Sequence, residues 1–459
     1  MGKRRWLVLS HGFNMDGRAA SLTVTDKIPH LLAAGIEPVV LSAVTGSQDR
    51  RFEHHRLLPW GPSALRFDLR HLIALHWGRG LRYRVVSLIV SVLLAPFMVV
   101  ERLTTGLRNQ WSWALPAFAR AALMLRRGDI ELVYTSGGAY SAHLAGWWLK
   151  RWCGARWIVE VHDPMVFPER PLRNRDDRFQ ARLEGLICEH ADLAWWFTDG
   201  ALEAARQRHP SLGSRGMVVL PGAEPPVVHT DHVRGPRCVL GHFGSLSRIR
   251  SLAPFLRALA GLFRREPAWR DVLRLEVYGS DIDPEAQRLV AELGLADVVL
   301  PMGRLEHDPA TGLSGRERVV QRMQQVDALL LLHGDTAECA QYIPSKLYDY
   351  FWSRRPVFAL THLNPQLDAL VQAHGGWVAP TTDPAAVEAG LAALLQTWRD
   401  RGLDDLPHRA PDAHRRDLDL AEAAVAPCLQ QRGLGEVEIP PVSVGRAVRQ
   451  IVEAADALT

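Results

Sequence analysis

The feature that most constrains the fold is an alternation of short apolar runs with longer stretches of helical periodicity, repeated along most of the chain. Nearly continuous apolar character indicates strands that are buried on both faces of a parallel sheet, with helices covering both faces. Strands are predicted at residues 6–10, 38–44, 131–136, 156–161 and 216–221, and again at 238–245, 273–280, 298–303, 327–334, 356–361 and 375–380.

A stretch rich in Pro and Gly at residues 221–237, PGAEPPVVHTDHVRGPR, separates these two series of strands. The interruption predicts two doubly wound, Rossmann-like α/β domains, at residues 1–222 and 235–402. An irregular tail with a C-terminal helix is expected at 403–459. Because ligands of open α/β sheets bind beyond the carboxyl ends of the strands, the two domains are expected to face a central cleft.

Cysteine usage and the first residues bear on the cell compartment. The five cysteines are far apart and show no metal-type spacing, which indicates reduced thiols in a cytosolic protein. The basic opening MGKRRWLVLS has too short an apolar run for a signal peptide and is better explained as a first strand.

Positive charge is concentrated in one segment. The net charge of the whole chain is +4, but residues 50–127 contain 13 Arg against three acids, so 13 − 3 gives +10 there. Within this segment, about residues 64–127, an apolar stretch at 85–100 is interrupted by Pro96 and flanked by arginines, which favours a helix lying on an anionic membrane over one that crosses it. A buried core helix is the alternative, and nucleic acid is disfavoured because the basic residues alternate with aliphatic runs. The predicted membrane-facing residues are Arg82, Arg84, Leu93, Leu94 and Arg102.

The stretch GHFGSLSRIRSLAPFLRAL, residues 241–259, predicts a strand, a glycine turn and a helix. Such a turn directs backbone N–H groups and the helix dipole at an anion. Gly244 and Ser245 lie in the turn, and Arg248 and Arg250 follow it and could neutralise a diphosphate. A tight turn before a surface helix is equally compatible with the pattern.

The stretch QYIPSKLYDYF, residues 341–351, contains the only lysine after residue 150. Lys346 and Asp349 are three residues apart and share one face of the predicted helix. A cation at a helix N-terminus opposes the macrodipole, so Lys346 is expected to bind phosphate and Asp349 a ribose diol. An ordinary ion pair between them is the alternative.

Together these two stretches resemble the retaining GT-B glycosyltransferases of glycosyltransferase family four. Gly244 and Arg250 match the family spacing of a glycine turn and a basic residue, and SKLYDYFWSRRPVFAL matches its second acidic motif through Lys346 and Asp349. The resemblance implies that Arg250 and Lys346 hold the donor diphosphate, usually of a UDP- or GDP-sugar. Gln341 replaces the first acid of the family, and Ser245 replaces a residue that is often basic.

The first domain offers candidates for contact with the acceptor or the donor sugar. The segment at 129–167 predicts a strand ending at residues 135–138 and another ending at His162-Asp163-Pro164. Polar residues just past buried strands lie where substrates bind, so His162 and Asp163 are predicted site residues. Gly12, in the loop after the first strand, would let the backbone approach phosphates or the acceptor. For His162 and Asp163, packing and capping are the alternatives.

The sequence therefore predicts an enzyme that moves a sugar from a nucleotide diphosphate sugar to a lipid-linked or otherwise membrane-held saccharide, at the cytoplasmic face of the inner membrane. His162, Asp163, Arg250 and Lys346 are its predicted catalytic residues, and no metal or other cofactor is expected. A nucleotide-sugar epimerase or hydrolase of the same fold, or a catalytically silent membrane scaffold, is the alternative. Gln341 in the place of an acid favours the scaffold.

Overall fold

The computed structural model describes residues 4–15, 19–78, 80–107, 110–167, 171–279, 282–403 and 443–458. The described residues form two compact units, one up to Pro221 together with the segment from Val444, and one from Gly222 to Ser443. The C-terminal helix therefore belongs to the first unit, whereas the sequence placed it in a separate tail. The predicted irregular stretch at 404–440 lies outside the described residues.

The first unit is built on a parallel seven-stranded sheet with the order β3-β2-β1-β4-β5-β6-β7. The order reverses between β1 and β4, which confirms the predicted doubly wound domain. Its strands are β1 (Arg4–Leu9), β2 (Ile36–Ala43), β3 (Glu53–Leu57), β4 (Leu132–Ser136), β5 (Trp157–Val161), β6 (Leu193–Trp196) and β7 (Gly216–Val218).

Helices of the first unit cover both faces of this sheet and bury two separate apolar clusters. They are α1 (Ala19–Thr25), α2 (Lys27–Ala33), α3 (Pro62–Trp77), α4 (Leu81–Thr104), α5 (Ala114–Leu125), α6 (Ser141–Cys153), α7 (Arg175–His190), α8 (Asp199–Arg208) and the C-terminal α16 (Val444–Asp456), with 3-10 turns at Trp111–Trp113 and Pro210–Arg215. The C-terminal α16 buries Val448 and Ile451 in the same cluster as Ile28 and Leu31 of α2.

The second unit has a parallel six-stranded sheet with the order β10-β9-β8-β11-β12-β13. Its strands are β8 (Cys238–Phe243), β9 (Leu273–Tyr278), β10 (Val299–Gly303), β11 (Ala328–Leu332), β12 (Val357–Thr361) and β13 (Trp377–Pro380). Its helices are α9 (Ala253–Arg265), α10 (Trp269–Val272), α11 (Pro284–Glu292), α12 (Gly315–Gln325), α13 (Lys346–Trp352), α14 (Pro365–Ala373) and α15 (Pro384–Arg401), with a 3-10 turn at Ala337–Gln341. The predicted second doubly wound domain is confirmed.

The helices α3 and α4 form an antiparallel hairpin in which polar side chains face the interior of the hairpin and apolar side chains face outward. The inner side of α4 carries Ser87 and Ser91, and Ser91 accepts a hydrogen bond of 2.8 Å from Nε of Arg66 on α3. The outer side is apolar, and its Leu88 and Leu93 are each 65% exposed. Such a surface on a 24-residue helix is unusual for a protein face in contact with water.

The structure corrects two expectations for this segment and excludes one alternative. The helix α4 continues through Pro96, because a proline removes a single N–H and the turns on either side remain hydrogen-bonded. The alternative of a buried core helix also fails, since only 6% of its apolar window is buried. Leu94 lies on the partly buried side that packs on α3, whereas Leu93, Arg82, Arg84 and Arg102 are exposed. Among the described residues, α4 is the one helix long and apolar enough to cross a membrane.

Candidate active site

The turn after β8 brings two parts of the second unit into close contact. Gly244 has a φ of +130° and donates its N–H to the carbonyl oxygen of Tyr278, at the end of β9. A Cβ atom at Gly244 would lie 2.6 Å from Nζ of Lys346. The positive φ favours glycine here, and the absence of a Cβ atom leaves the space in which Nζ of Lys346 lies.

Lys346 begins α13 and is partly buried against this turn. Burial, and then the nearby Arg250 guanidinium, lower the pKa of Lys346 to about 7. The side chains of Lys346 and Arg250 form no hydrogen bond or ion pair with any described residue, and the structure records no ion pair between Lys346 and Asp349. The ion pair considered as an alternative is therefore not observed, and two predicted phosphate-binding cations meet without an acid between them.

Two buried histidines lie near Lys346 and Arg250, and the sequence did not predict them. Nδ1 of His242 lies 3.0 Å from the carbonyl oxygen of Leu330. Its Nε2 is buried without a hydrogen-bond partner among the described residues. Burial, with Lys346 nearby, holds the pKa of His242 well below its usual value. His333, at the end of β11, contacts the carbonyl oxygen of Tyr342 at 2.9 Å, and burial lowers its pKa to about 4. Both imidazoles are thus neutral at physiological pH and add no charge.

The remaining predicted donor residues lie at the same edge of the second sheet. Ser245 and Arg248 are exposed in the loop after β8, and Arg248 lines a small cavity of about 80 Å³ with His333. Asp349 lies one turn after Lys346 in α13. Gln341 ends the 3-10 turn before this helix and is buried, which places an amide where the resemblance implies an acid.

In the first unit, the predicted residues of 135–138 and 162–163 do meet. The ends of β4 and β5 open into a pocket of about 280 Å³ that is lined by Gly137, His143, His162 and Asp163, among others. The His162 ring stacks on Phe197 at a centroid distance of 5.0 Å, whereas Asp163 is exposed. The α7 helix contributes Asp177 and Gln180 to the lining. We refer to this cavity as the His162 pocket.

Below the His162 pocket lies a buried ion cluster that the sequence did not predict. The Glu160 carboxylate, on β5, accepts hydrogen bonds from Lys27 Nζ at 3.0 Å and from the Tyr134 hydroxyl. His162 Nε2 contacts the same carboxylate and the Ser136 hydroxyl, each at 2.9 Å. Burial would raise the pKa of Glu160, but Lys27 and His162 outweigh it and the pKa is lowered. The one available signal was Lys27 itself, one of only four lysines in a chain with 54 basic residues.

Gly12 lies in the loop after β1, as expected, and no close protein contact requires a glycine at this position. A Cβ atom there would meet Met15 Sδ at 3.6 Å, an ordinary contact distance. The neighbouring His11 is buried, with Nε2 3.3 Å from a carboxylate oxygen of Asp68 on α3. This contact connects the α3–α4 hairpin to the end of β1.

The sequence matches no protein-family model and no curated protein. Solved structures do match over nearly the whole chain. Sucrose-phosphate synthase from Thermosynechococcus elongatus has a TM-score of 0.58 at 15% identity, and the match covers 93% of this chain and 99% of that one. An alpha,alpha-trehalose-phosphate synthase (UDP-forming) from Burkholderia vietnamiensis has a TM-score of 0.58 at 12% identity, with 100% and 99% covered. WaaG, a glycosyltransferase involved in lipopolysaccharide biosynthesis, has a TM-score of 0.52 at 14% identity, with 99% of both chains covered. This chain therefore has the GT-B fold of two Rossmann-like domains.

Proposed function

We propose that the protein is a glycosyltransferase that moves a sugar from a nucleotide diphosphate sugar to a membrane-held acceptor. The observation that carries the proposal is the pair formed by Lys346 and Arg250, two cations without an acidic partner beside a glycine turn. A fold shared with a UDP-forming synthase and with WaaG supports it. UDP- and GDP-sugars are the donors we expect.

On the donor side, Lys346 and Arg250 would bind the two phosphates of the donor and stabilise the charge of the leaving diphosphate. Ser245, Gly244 and the exposed Arg248 would complete the phosphate site, and Asp349 would bind the ribose. Nζ of Lys346 lies beside Gly244, and a lysine ammonium is a compact point charge suited to a phosphate oxygen, whereas arginine is a broad planar fork. The resemblance to family four implies retention of anomeric configuration, which we propose for this chain.

On the acceptor side, the His162 pocket has the polar groups that a sugar hydroxyl needs. Since His162 is held by Glu160 and Ser136 through one ring nitrogen, its ring orientation is fixed before a substrate arrives. Asp163, exposed at the rim, would accept a hydrogen bond from a hydroxyl group. We propose no step that needs a metal ion, and the described residues contain no group of three or more His, Cys, Asp or Glu that could hold one.

On the membrane side, the outer face of α4 would lie along an anionic bilayer surface. At about 1.5 Å per residue the helix is about 36 Å long. Arg82 and Arg84 at one end and Arg102 at the other can reach lipid phosphates while the apolar middle enters the acyl region. The base of the hairpin is fixed to the globular unit, since Glu101 accepts hydrogen bonds from the Ser63 N–H and the Trp111 indole, each at 2.9 Å. We propose a peripheral location at the cytoplasmic face of the inner membrane.

The proposal is tested by incubating the full chain with sugar-labelled UDP- and GDP-sugars and bacterial membrane vesicles, with EDTA present. Label that moves into the lipid extract supports a membrane-held acceptor and the absence of a required metal. Donor turnover without transfer would indicate the epimerase or hydrolase, and loss of all turnover with every donor, with and without added Mg²⁺, would indicate a silent scaffold. Either result overturns the proposed function.

A further inference from the structure

A second cavity lies between α4 and the start of α7 and shares no lining residue with the His162 pocket. It has a volume of about 840 Å³, three times that of the His162 pocket. Its walls come from α3, from the second half of α4 and from the first residues of α7. We call it the α4 groove.

The charge of the α4 groove favours an anion. Three arginines line it, Arg66, Arg102 and Arg175, against one acid, Asp176. The Arg102 guanidinium forms no hydrogen bond or ion pair with any described residue, although it follows Glu101, whose carboxylate is engaged elsewhere. The groove therefore holds an excess of positive charge and at least one free, forked donor of the kind that binds phosphate.

Apolar groups line the same groove. Ala95, Met98 and Val99 project into it from α4, and the exposed apolar face of that helix continues outward from them. A ligand that matches both parts has a phosphate head and a hydrocarbon chain. A soluble anion would make no apolar contact with Ala95, Met98 and Val99, and a neutral lipid would leave the arginines without a counter-ion.

The first turn of α7 connects the groove to the His162 pocket. Asp176 lines the groove and accepts a hydrogen bond of 2.5 Å from the Tyr140 hydroxyl, and Tyr140 lines the His162 pocket. Asp177 and Gln180, on the next positions of the same helix, also line that pocket, and Gln180 donates to Asp176 at 2.7 Å. One wall therefore serves both cavities.

We propose that the α4 groove binds the phosphate of a lipid phosphate, whose chain runs along α4 into the bilayer while the saccharide on the phosphate reaches the His162 pocket. The inference rests on the proposed function, and it names the class of acceptor. Arg102 is the principal phosphate ligand, with Arg66 and Arg175 at the sides. The acceptor is thus held by its phosphate at a fixed distance from the sugar hydroxyl that reacts.

The test uses the full chain in solution, without micelles, and n-dodecyl phosphate below its micelle concentration, with binding followed by tryptophan fluorescence. Wild type is compared with Arg102→Gln and with Arg127→Gln, a matched loss of one exposed arginine that lies outside both cavities. We expect saturable binding to wild type and to Arg127→Gln, and affinity about tenfold lower for Arg102→Gln, since one charge-assisted contact is lost. Arg102 is exposed and unpaired, so its replacement leaves the fold intact.

Two further ligands separate the sources of binding. Inorganic phosphate and n-dodecyl maltoside, which has the chain without the phosphate, should each bind at least tenfold more weakly than n-dodecyl phosphate. Equal affinity of wild type and Arg102→Gln, or equal affinity for n-dodecyl maltoside, would overturn the inference, and equal affinity for inorganic phosphate would indicate a site for a free anion. Nucleotide binding is measured on the same samples, so a failure of the α4 groove alone is distinguished from a failure of the donor site.

Discussion

Lys27 in the first unit is fully buried and Lys346 in the second is partly buried, and the two lysines use their charge in opposite ways. Lys27 is 1% exposed, and its Nζ donates to Glu160 at 3.0 Å and to the Thr23 carbonyl oxygen at 2.8 Å. Lys346 has a cation for a neighbour, no described partner and a pKa lowered to about 7. The first charge is compensated inside the protein, and the second is not.

The difference indicates which of the two lysines can gain free energy by binding an anion. A buried charge without a partner costs folding free energy unless it loses its proton or gains a counter-ion. At Lys27 the chain provides the counter-ion, and the result is a rigid support under His162. At Lys346 no described residue provides a counter-ion, and under the proposed function the diphosphate of a nucleotide sugar would provide two negative charges. The comparison therefore predicts that equal substitutions at the two lysines have opposite effects on stability.

The largest effect is expected for Lys27→Met. This change leaves the Glu160 carboxylate buried without its cation, and breaking a buried pair on one side costs about 3–5 kcal/mol. Urea unfolding should show this loss in the free energy of unfolding. The double variant Lys27→Met/Glu160→Gln should recover part of it, because no charge is then left uncompensated. A double variant that is no more stable than the single one would break the comparison.

Lys346→Met is expected to slow transfer strongly and to stabilise the empty protein. Loss of one cation that stabilises the leaving group typically lowers kcat by about 10² to 10³. The folded-state pKa of Lys346 is below its unfolded value, so the unfolded chain binds more protons between about pH 7 and 10.5, and the destabilisation is fully present below pH 7. The melting temperature of the variant should therefore exceed that of wild type at pH 6, and the difference should shrink towards pH 10. A lower melting temperature at pH 6 would contradict this account.

Most strands of the two sheets could be predicted from the sequence, and two could not. The strands predicted from continuous apolar runs are all present, because such runs have few other ways to be buried. The strands β3 (Glu53–Leu57) and β6 (Leu193–Trp196) were missed. The first is EHHRL, polar enough for a sheet edge, and the second is a four-residue run directly after a helix. Local pattern carries little signal for either.

The residues of the candidate site also include some that the sequence predicted and some that it did not. Lys346, Arg250, His162 and Asp163 were predicted, since each follows a strand end or matches a spaced motif. Glu160 was missed because its side chain alternates into the sheet interior, where sequence alone suggests only packing. Its partner Lys27 is 133 positions away, and only the fold brings the two together.

A smaller effect is expected in the pH dependence of donor affinity, which depends on Lys346 and not on Lys27. Because the pKa of Lys346 in the empty site is about 7 and a bound diphosphate raises it, affinity for a nucleotide sugar should be constant below pH 7 and fall up to tenfold per pH unit above it. His242 and His333 do not contribute, since both are neutral well below that range. Calorimetric titration from pH 6 to 9 measures this slope. Lys346→Met should bind weakly at every pH and show no slope.

The smallest effect concerns the membrane surface, which should act independently of either lysine. Leu93→Asp places a charge in the middle of the exposed face of α4, and burying one leucine is worth about 1.5–3 kcal/mol. Partitioning into anionic vesicles should fall about tenfold or more in a sedimentation assay. The matched control is Leu123→Asp, at a leucine that is 55% exposed on α5. Equal losses for the two variants would show that α4 has no special part in binding.

The most direct test of the central claim is the melting temperature of wild type and Lys346→Met with UDP, GDP and their sugar conjugates. A nucleotide at one hundred times its dissociation constant should stabilise the wild type by about 2.7 kcal/mol. We expect one nucleotide series to raise the melting temperature of wild type and to leave that of Lys346→Met unchanged. Stabilisation of both proteins to the same extent, or of neither by any nucleotide, would contradict it.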